Sequence, residues 1–140
     1  MTQSANSLKQ TLDVMQNSWN AAAKVWNPKA LAALYADDAL FYGGRPGHSV
    51  GAAEIQAYFA SYDGIIQSAV LDLIDQELVQ ISPESFMAQG LGAFSFVLAG
   101  GRKTQSVLRT TLALSKLSGQ WKIQLHHFSV TPEVPPLGNT

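Results

Sequence analysis

Trp121-Lys-Ile-Gln-Leu-His-His-Phe-Ser129, read beside Arg109-Thr-Thr-Leu-Ala-Leu114, is the stretch that decides the fold. In it Trp121, Ile123, Leu125, His127 and Ser129 alternate with Lys122, Gln124, His126 and Phe128. A strand sends alternate side chains to opposite faces. One face is then apolar for three positions and turns polar at His127 and Ser129. An apolar surface closing on a few polar groups is how a small-molecule pocket is built. The opposite face, with His126 and Phe128, is assigned to the outside of the sheet.

Working outward, three more segments alternate in the same way, so long strands are expected at roughly 66–81, 85–99, 103–117 and 120–130. Ser82-Pro-Glu84, Gly100-Gly101 and Ser118-Gly119 separate them as hairpin turns, giving an antiparallel meander. Ahead of the meander the period is helical. Leu8, Leu12, Met15, Trp19 and Ala22 form one apolar stripe on a helix capped by Ser4 or Ser7 and running to about Val25. Asn27-Pro28 breaks it, and a short helix follows from about Pro28 to Tyr35. Asp37-Asp38 ends that helix, and Ala39 to Tyr42 reads as a short strand. Gly43-Gly-Arg-Pro-Gly47 is a loop, and a third helix spans about Gly51 to Tyr62. The fold class expected is α+β, with the three N-terminal helices packed on one face of a curved antiparallel sheet.

The 140 residues read as a single domain, with a core over about 8–131 and an extended proline-rich tail over 132–140. Hydrophobic residues at 46% and charged residues at 14% indicate a chain that buries a real core. A net charge of -1 with scattered Lys and Arg argues against a nucleic-acid partner. There is no cysteine, so disulfides and thiolate sites are excluded. The polar N-terminus lacks the regions of a signal peptide, and no apolar run reaches spanning length. A cytoplasmic protein without a membrane partner is the expectation. No phosphate loop, zinc motif or dinucleotide fingerprint is present, so neither a cofactor nor a metal is expected.

The strand following Gly101 has Val107, Arg109, Thr111, Ala113 and Ser115 on one face and Leu108, Thr110, Leu112 and Leu114 on the other. Neither face reads as solvated. Helices cover one; the other, with Leu108, Leu112, Leu114, Gln124, His126 and Phe128, is assigned to a homodimer surface.

Several residues together now carry a resemblance: Trp19, Leu31-Ala-Ala-Leu-Tyr-Ala-Asp-Asp-Ala39, Gly51-Ala-Ala-Glu-Ile55 with Tyr58-Phe59, Arg109-Thr-Thr, Gly119-Gln-Trp-Lys-Ile123 and His126-His-Phe-Ser129. The chain resembles the nuclear transport factor 2-like superfamily over roughly residues 8 to 131, which implies a cone-shaped sheet with the three helices on its concave face. Its nearest branches are the SnoaL-like group and the association (hub) domain of calcium/calmodulin-dependent protein kinase. The superfold hosts isomerases, dehydratases, cyclases, transport factors and oligomerisation hubs. Ketosteroid isomerases of the superfamily place a basic aspartate where this chain has Leu40-Phe-Tyr-Gly-Gly44, and no carboxylate stands there.

The expected function is therefore a small-molecule-binding protein, or a cofactor-independent isomerase, cyclase or dehydratase, acting on an acidic or carbonyl-containing ligand. The alternative is a non-catalytic hub-like module. In the first reading His127 transfers protons and Arg109 anchors an oxyanion or carboxylate. Trp19, Tyr35, Tyr42, Tyr58, Tyr62 and Ser129 line the pocket. Structural roles compete at each position: His127 tethered to Ser129, Arg109 in a buried salt bridge to Asp38, Glu54 or Asp72, and Asp38 bonding loop groups. His126 is placed at the interface or surface, and His48 in the exposed glycine-rich loop, gating the cavity mouth.

Overall fold

The computed structural model describes residues 5–139. Helix α1 spans Ala5–Ala23 and buries Leu8, Leu12, Met15 and Trp19 at the expected three- and four-residue steps. Ser4, one of the two expected caps, lies outside the described residues. Trp26 turns the chain through a left-handed φ of 42°. Asn27 then caps α2, Pro28–Ala32, its side chain accepting a bond from the Ala30 amide at 3.0 Å.

Helix α2 is shorter than expected, because Tyr35 opens a strand, β1, Tyr35–Tyr42. Asp37 and Asp38 lie within that strand, exposed. A two-residue strand β2, Ser49–Val50, precedes helix α3, Ala52–Ala60. Four long strands follow, β3 Ile66–Ser82, β4 Ser85–Leu98, β5 Lys103–Leu117 and β6 Gln120–Ser129. After Ser129 the described residues form no further helix or strand.

The six strands make one curved, unclosed sheet in the order β2-β1-β6-β5-β4-β3. The meander is antiparallel throughout, whereas β1 lies parallel to β6, so the sheet is not wholly antiparallel. The helices cover one face, and the core lies between them and the strands. Helix α1 also protects an edge. β3 is an outer strand, whose free backbone groups would template aggregation. Asn20 bonds both the carbonyl and the amide of Leu71, at 2.9 and 2.7 Å, and Gln16 accepts from the Leu73 amide at 2.7 Å.

Bulges interrupt the pairing of the long strands, and two of them lie within the sheet's span. In β3 the pairing slips between Ile74 and Glu77, with Asp75 at a φ of 53°. Opposite it, only a glycine fits at position 90, since a Cβ there would lie 2.5 Å from the Asp75 carbonyl oxygen. In β6, Ala113 pairs Leu125 and Leu114 pairs Ile123, which leaves Gln124 as the extra residue.

Candidate functional site

The extra residue at Gln124 decides which side chains enter the cone. A one-residue slip moves every later side chain to the other face. Before the bulge Ile123 is buried; after it His126 and Phe128 are, at 1% and 8% exposure. On β5 the inward set is the even one, with Thr110, Leu112 and Leu114 buried. The expected facing is therefore inverted on β5 and, on β6, beyond the bulge, while Ile123 faces inward as expected. Leu112, Leu114, His126 and Phe128 belong to the core and not to an outer surface, with Leu108 packed half-buried against it. Arg109, His127 and Ser129 do share a face, because Arg109 pairs Ser129 and Thr111 pairs His127, but it is the face away from the helices.

The inward cluster starts at Trp19. Its indole N–H donates to the Tyr35 hydroxyl at 3.3 Å, and that hydroxyl lies 2.8 Å from His126 Nδ1. An indole can only donate, so the Tyr35 oxygen accepts, and its own proton is free for Nδ1. That assignment places the imidazole proton on Nε2. Burial favours the neutral ring and pulls the His126 pKa down to about 3, with His127 adding a smaller push in the same direction. Burial likewise raises the Tyr35 phenol above its ordinary value. His126 Nε2 and Thr110 Oγ1 are both buried without a hydrogen-bond partner. A buried N–H left unbonded is costly and marks a place to look for a ligand. A void of about 10 Å³ beside His126 is at or below the size of a single water site, about 10–15 Å³.

A larger cavity, about 140 Å³, lies on the far side of Phe128. Trp19, Phe59, Phe94 and Phe128 form its buried end, and Trp26 and Phe96 its sides. The ring of His126 lies 5.0 Å from that of Phe128, centre to centre, so the histidine stands one ring behind the cavity wall. At the other end Gly44 is exposed and Tyr58 and Tyr62 are half-buried, which makes this the mouth. The Gly44 amide donates to the Tyr58 hydroxyl at 2.8 Å, and the hydroxyls of Tyr58 and Tyr62 are 3.5 Å apart. Among the described residues no carboxylate lines this cavity.

The outer face carries a separate, polar groove of about 540 Å³, where Arg109, His127 and Ser129 meet Asp75, Glu77 and Gln89. Arg109 forms no ion pair with a described residue; Asp38 instead accepts from Gln124 at 2.7 Å and Glu54 from the Val50 amide at 2.8 Å. Tyr42, expected in the pocket wall, is exposed and stacks on exposed His48 at 4.3 Å, with His127 5.3 Å away. Of the residues expected to line one pocket, Trp19, Tyr58 and Tyr62 border the cavity, and Tyr35 lies behind it. The inward polar residue that sequence reasoning missed is His126. Its neighbour Phe128 and the leucines of β5 carried the signal, since the leucine-rich side of a strand is the side to bury.

Residues 13–133 match the model of the SnoaL-like domain. No curated protein matches the sequence. In structure the chain is similar to a protein of Xanthomonas campestris provisionally assigned as a calcium/calmodulin-dependent protein kinase II association domain. The TM-score is 0.80 at 25% identity, covering 94% of this chain and 91% of that one. A nuclear transport factor 2-like superfamily protein of Salmonella enterica aligns with a TM-score of 0.77 at 17% identity, covering 97% and 100%. A provisionally assigned scytalone dehydratase of Novosphingobium aromaticivorans aligns with a TM-score of 0.75 at 14% identity, covering 91% and 87%. The chain belongs to the SnoaL-like family and shares the fold of the nuclear transport factor 2-like protein of Salmonella enterica.

Proposed function

We propose that this SnoaL-like chain binds a small, carbonyl-containing organic ligand in the cavity between helices and sheet, and that His126 is the residue that reads it. One observation carries the reading: a fully buried, neutral imidazole, engaged at Nδ1 by Tyr35 and unpartnered at Nε2, stands one ring behind an apolar cavity. A ligand that displaces the Phe128 ring brings its carbonyl oxygen to that N–H. Aligned donors in a dry site stabilise charge on such an oxygen, as in enolisation or dehydration. A histidine with a pKa near 3 is a poor base, so it serves as a donor and not as a proton acceptor. With no carboxylate on the cavity wall among the described residues, binding is favoured over proton-shuttle catalysis. His127 and Arg109 retain a role only toward a group that approaches the outer groove.

Acetophenone and its carbonyl-free analogue ethylbenzene test this. Acetophenone is expected to bind about three- to tenfold more tightly, the worth of one neutral hydrogen bond. His126→Phe removes that advantage, and His127→Phe leaves it unchanged. The reverse pattern would return the reading to His127.

A second reading is assembly, favoured by the likeness to the kinase association domain and by the outer sheet face. That face exposes Val70, Val79, Met87 and Val107 at 42–58%, an apolar set suited to a second copy of the chain.

A further inference from the structure

We infer that Arg45 is the specificity-determining residue of the cavity mouth, and that the ligand is a small amphipathic carboxylate: its ring or short chain sits in the cavity and its acid group lies against Arg45, Tyr58 and Tyr62. The inference rests on the reading of the cavity as a ligand site and adds the charge of the ligand and the residue that selects it.

The guanidinium of Arg45 lies 4.3 Å from the centre of the Tyr62 ring, and Tyr62 borders the cavity. Its Nε donates to Ser61 Oγ at 2.7 Å and one terminal nitrogen to the Ser61 carbonyl at 3.1 Å. Ser61 Oγ in turn donates to the Tyr58 carbonyl at 2.6 Å. Two of the five guanidinium N–H donors are thereby used to fix its position, and three remain. Among the described residues Arg45 has no carboxylate partner, so a charge is held in place and left uncompensated.

The tyrosines add to it. The Tyr58 hydroxyl already accepts from the Gly44 amide, so its proton points elsewhere, and the nearest acceptor is Tyr62 at a long 3.5 Å. Burial raises the Tyr58 phenol well above its ordinary value, which keeps it a neutral donor. The loop is seated closely: a Cβ at Gly43 would overlap the Tyr58 hydroxyl. A guanidinium fork stacked on one of the two phenols that border the opening supplies the donors that a planar carboxylate takes. The cavity behind them, about 140 Å³, compares with the roughly 150 Å³ of apolar space that holds one benzene ring. Phenylacetate has that ring and that charge.

Trp19 and Trp26 border the cavity, so their emission reports occupancy. Phenylacetate, neutral phenylacetamide and toluene are titrated into the wild type, Arg45→Gln and Arg45→Lys. Arg45 lies on an exposed loop outside the core, so the variants keep the fold. Phenylacetate is expected to bind about tenfold more tightly than phenylacetamide to the wild type. Arg45→Gln brings the ratio close to one and leaves toluene unchanged, and Arg45→Lys recovers part of the preference. Equal binding of acid and amide, or a preference that survives Arg45→Gln, overturns the assignment while toluene binding leaves the cavity reading standing. If none of the three shifts the emission, both readings fall.

Discussion

His126 and His127 are neighbours in sequence and opposites in environment, and pH separates them. His126 is buried with its pKa pulled from 6.5 to about 3, so the unfolded chain binds a proton that the folded chain refuses. The stability this contributes is complete above pH 6.5 and is lost as pH falls toward 3, at up to about 1.4 kcal/mol per pH unit. Urea unfolding at pH 7 and pH 5 measures it. The wild type is expected to lose about 1–2 kcal/mol more than His126→Gln over that interval, and parallel profiles would contradict the burial. The sequence alone could not separate the two rings, because adjacent residues on a strand always oppose each other and only the facing decides which is inside.

The facing is set at the level of the element, by one unpaired residue. All four long strands were legible to within about two residues at their ends, as were α1 and α3 in type and place. Alternation ran unbroken through 121–129 in the sequence, and nothing in it announces that Gln124 is the bulge. Bulges answer to sheet curvature and to the partner strand, which a single strand's pattern does not contain. The neighbouring strand did contain it, since Leu108, Leu112 and Leu114 form a more apolar face than the one holding Arg109. Tyr35 escaped for a related reason: it closes a helical run in sequence but enters the sheet beside Ile123. Gly90→Ala places a methyl group against the Asp75 carbonyl and should cost about 1–3 kcal/mol. Calorimetry showing no loss would mean that the β3 bulge relaxes freely.

At the scale of the whole molecule, two surfaces compete to explain the fold: an apolar cavity inside the cone and a partly apolar sheet face outside it. The face is tested by mass. If copies associate through it, Val107→Glu lowers the mass seen by light scattering at micromolar protein and leaves the fold intact, since Val107 is 51% exposed. Phe128→Glu, by contrast, buries a charge in the core and unfolds the chain. A wild type that is already monomeric removes the assembly reading. The cavity is the central claim, and contacts between protons of a bound ligand and the protein test it most directly. With phenylacetate bound, nuclear Overhauser contacts from its ring are expected to Trp26, Phe96 and Leu108, which border the cavity. Contacts confined to Gln89, Thr111 and Leu91, on the outer groove, would contradict it.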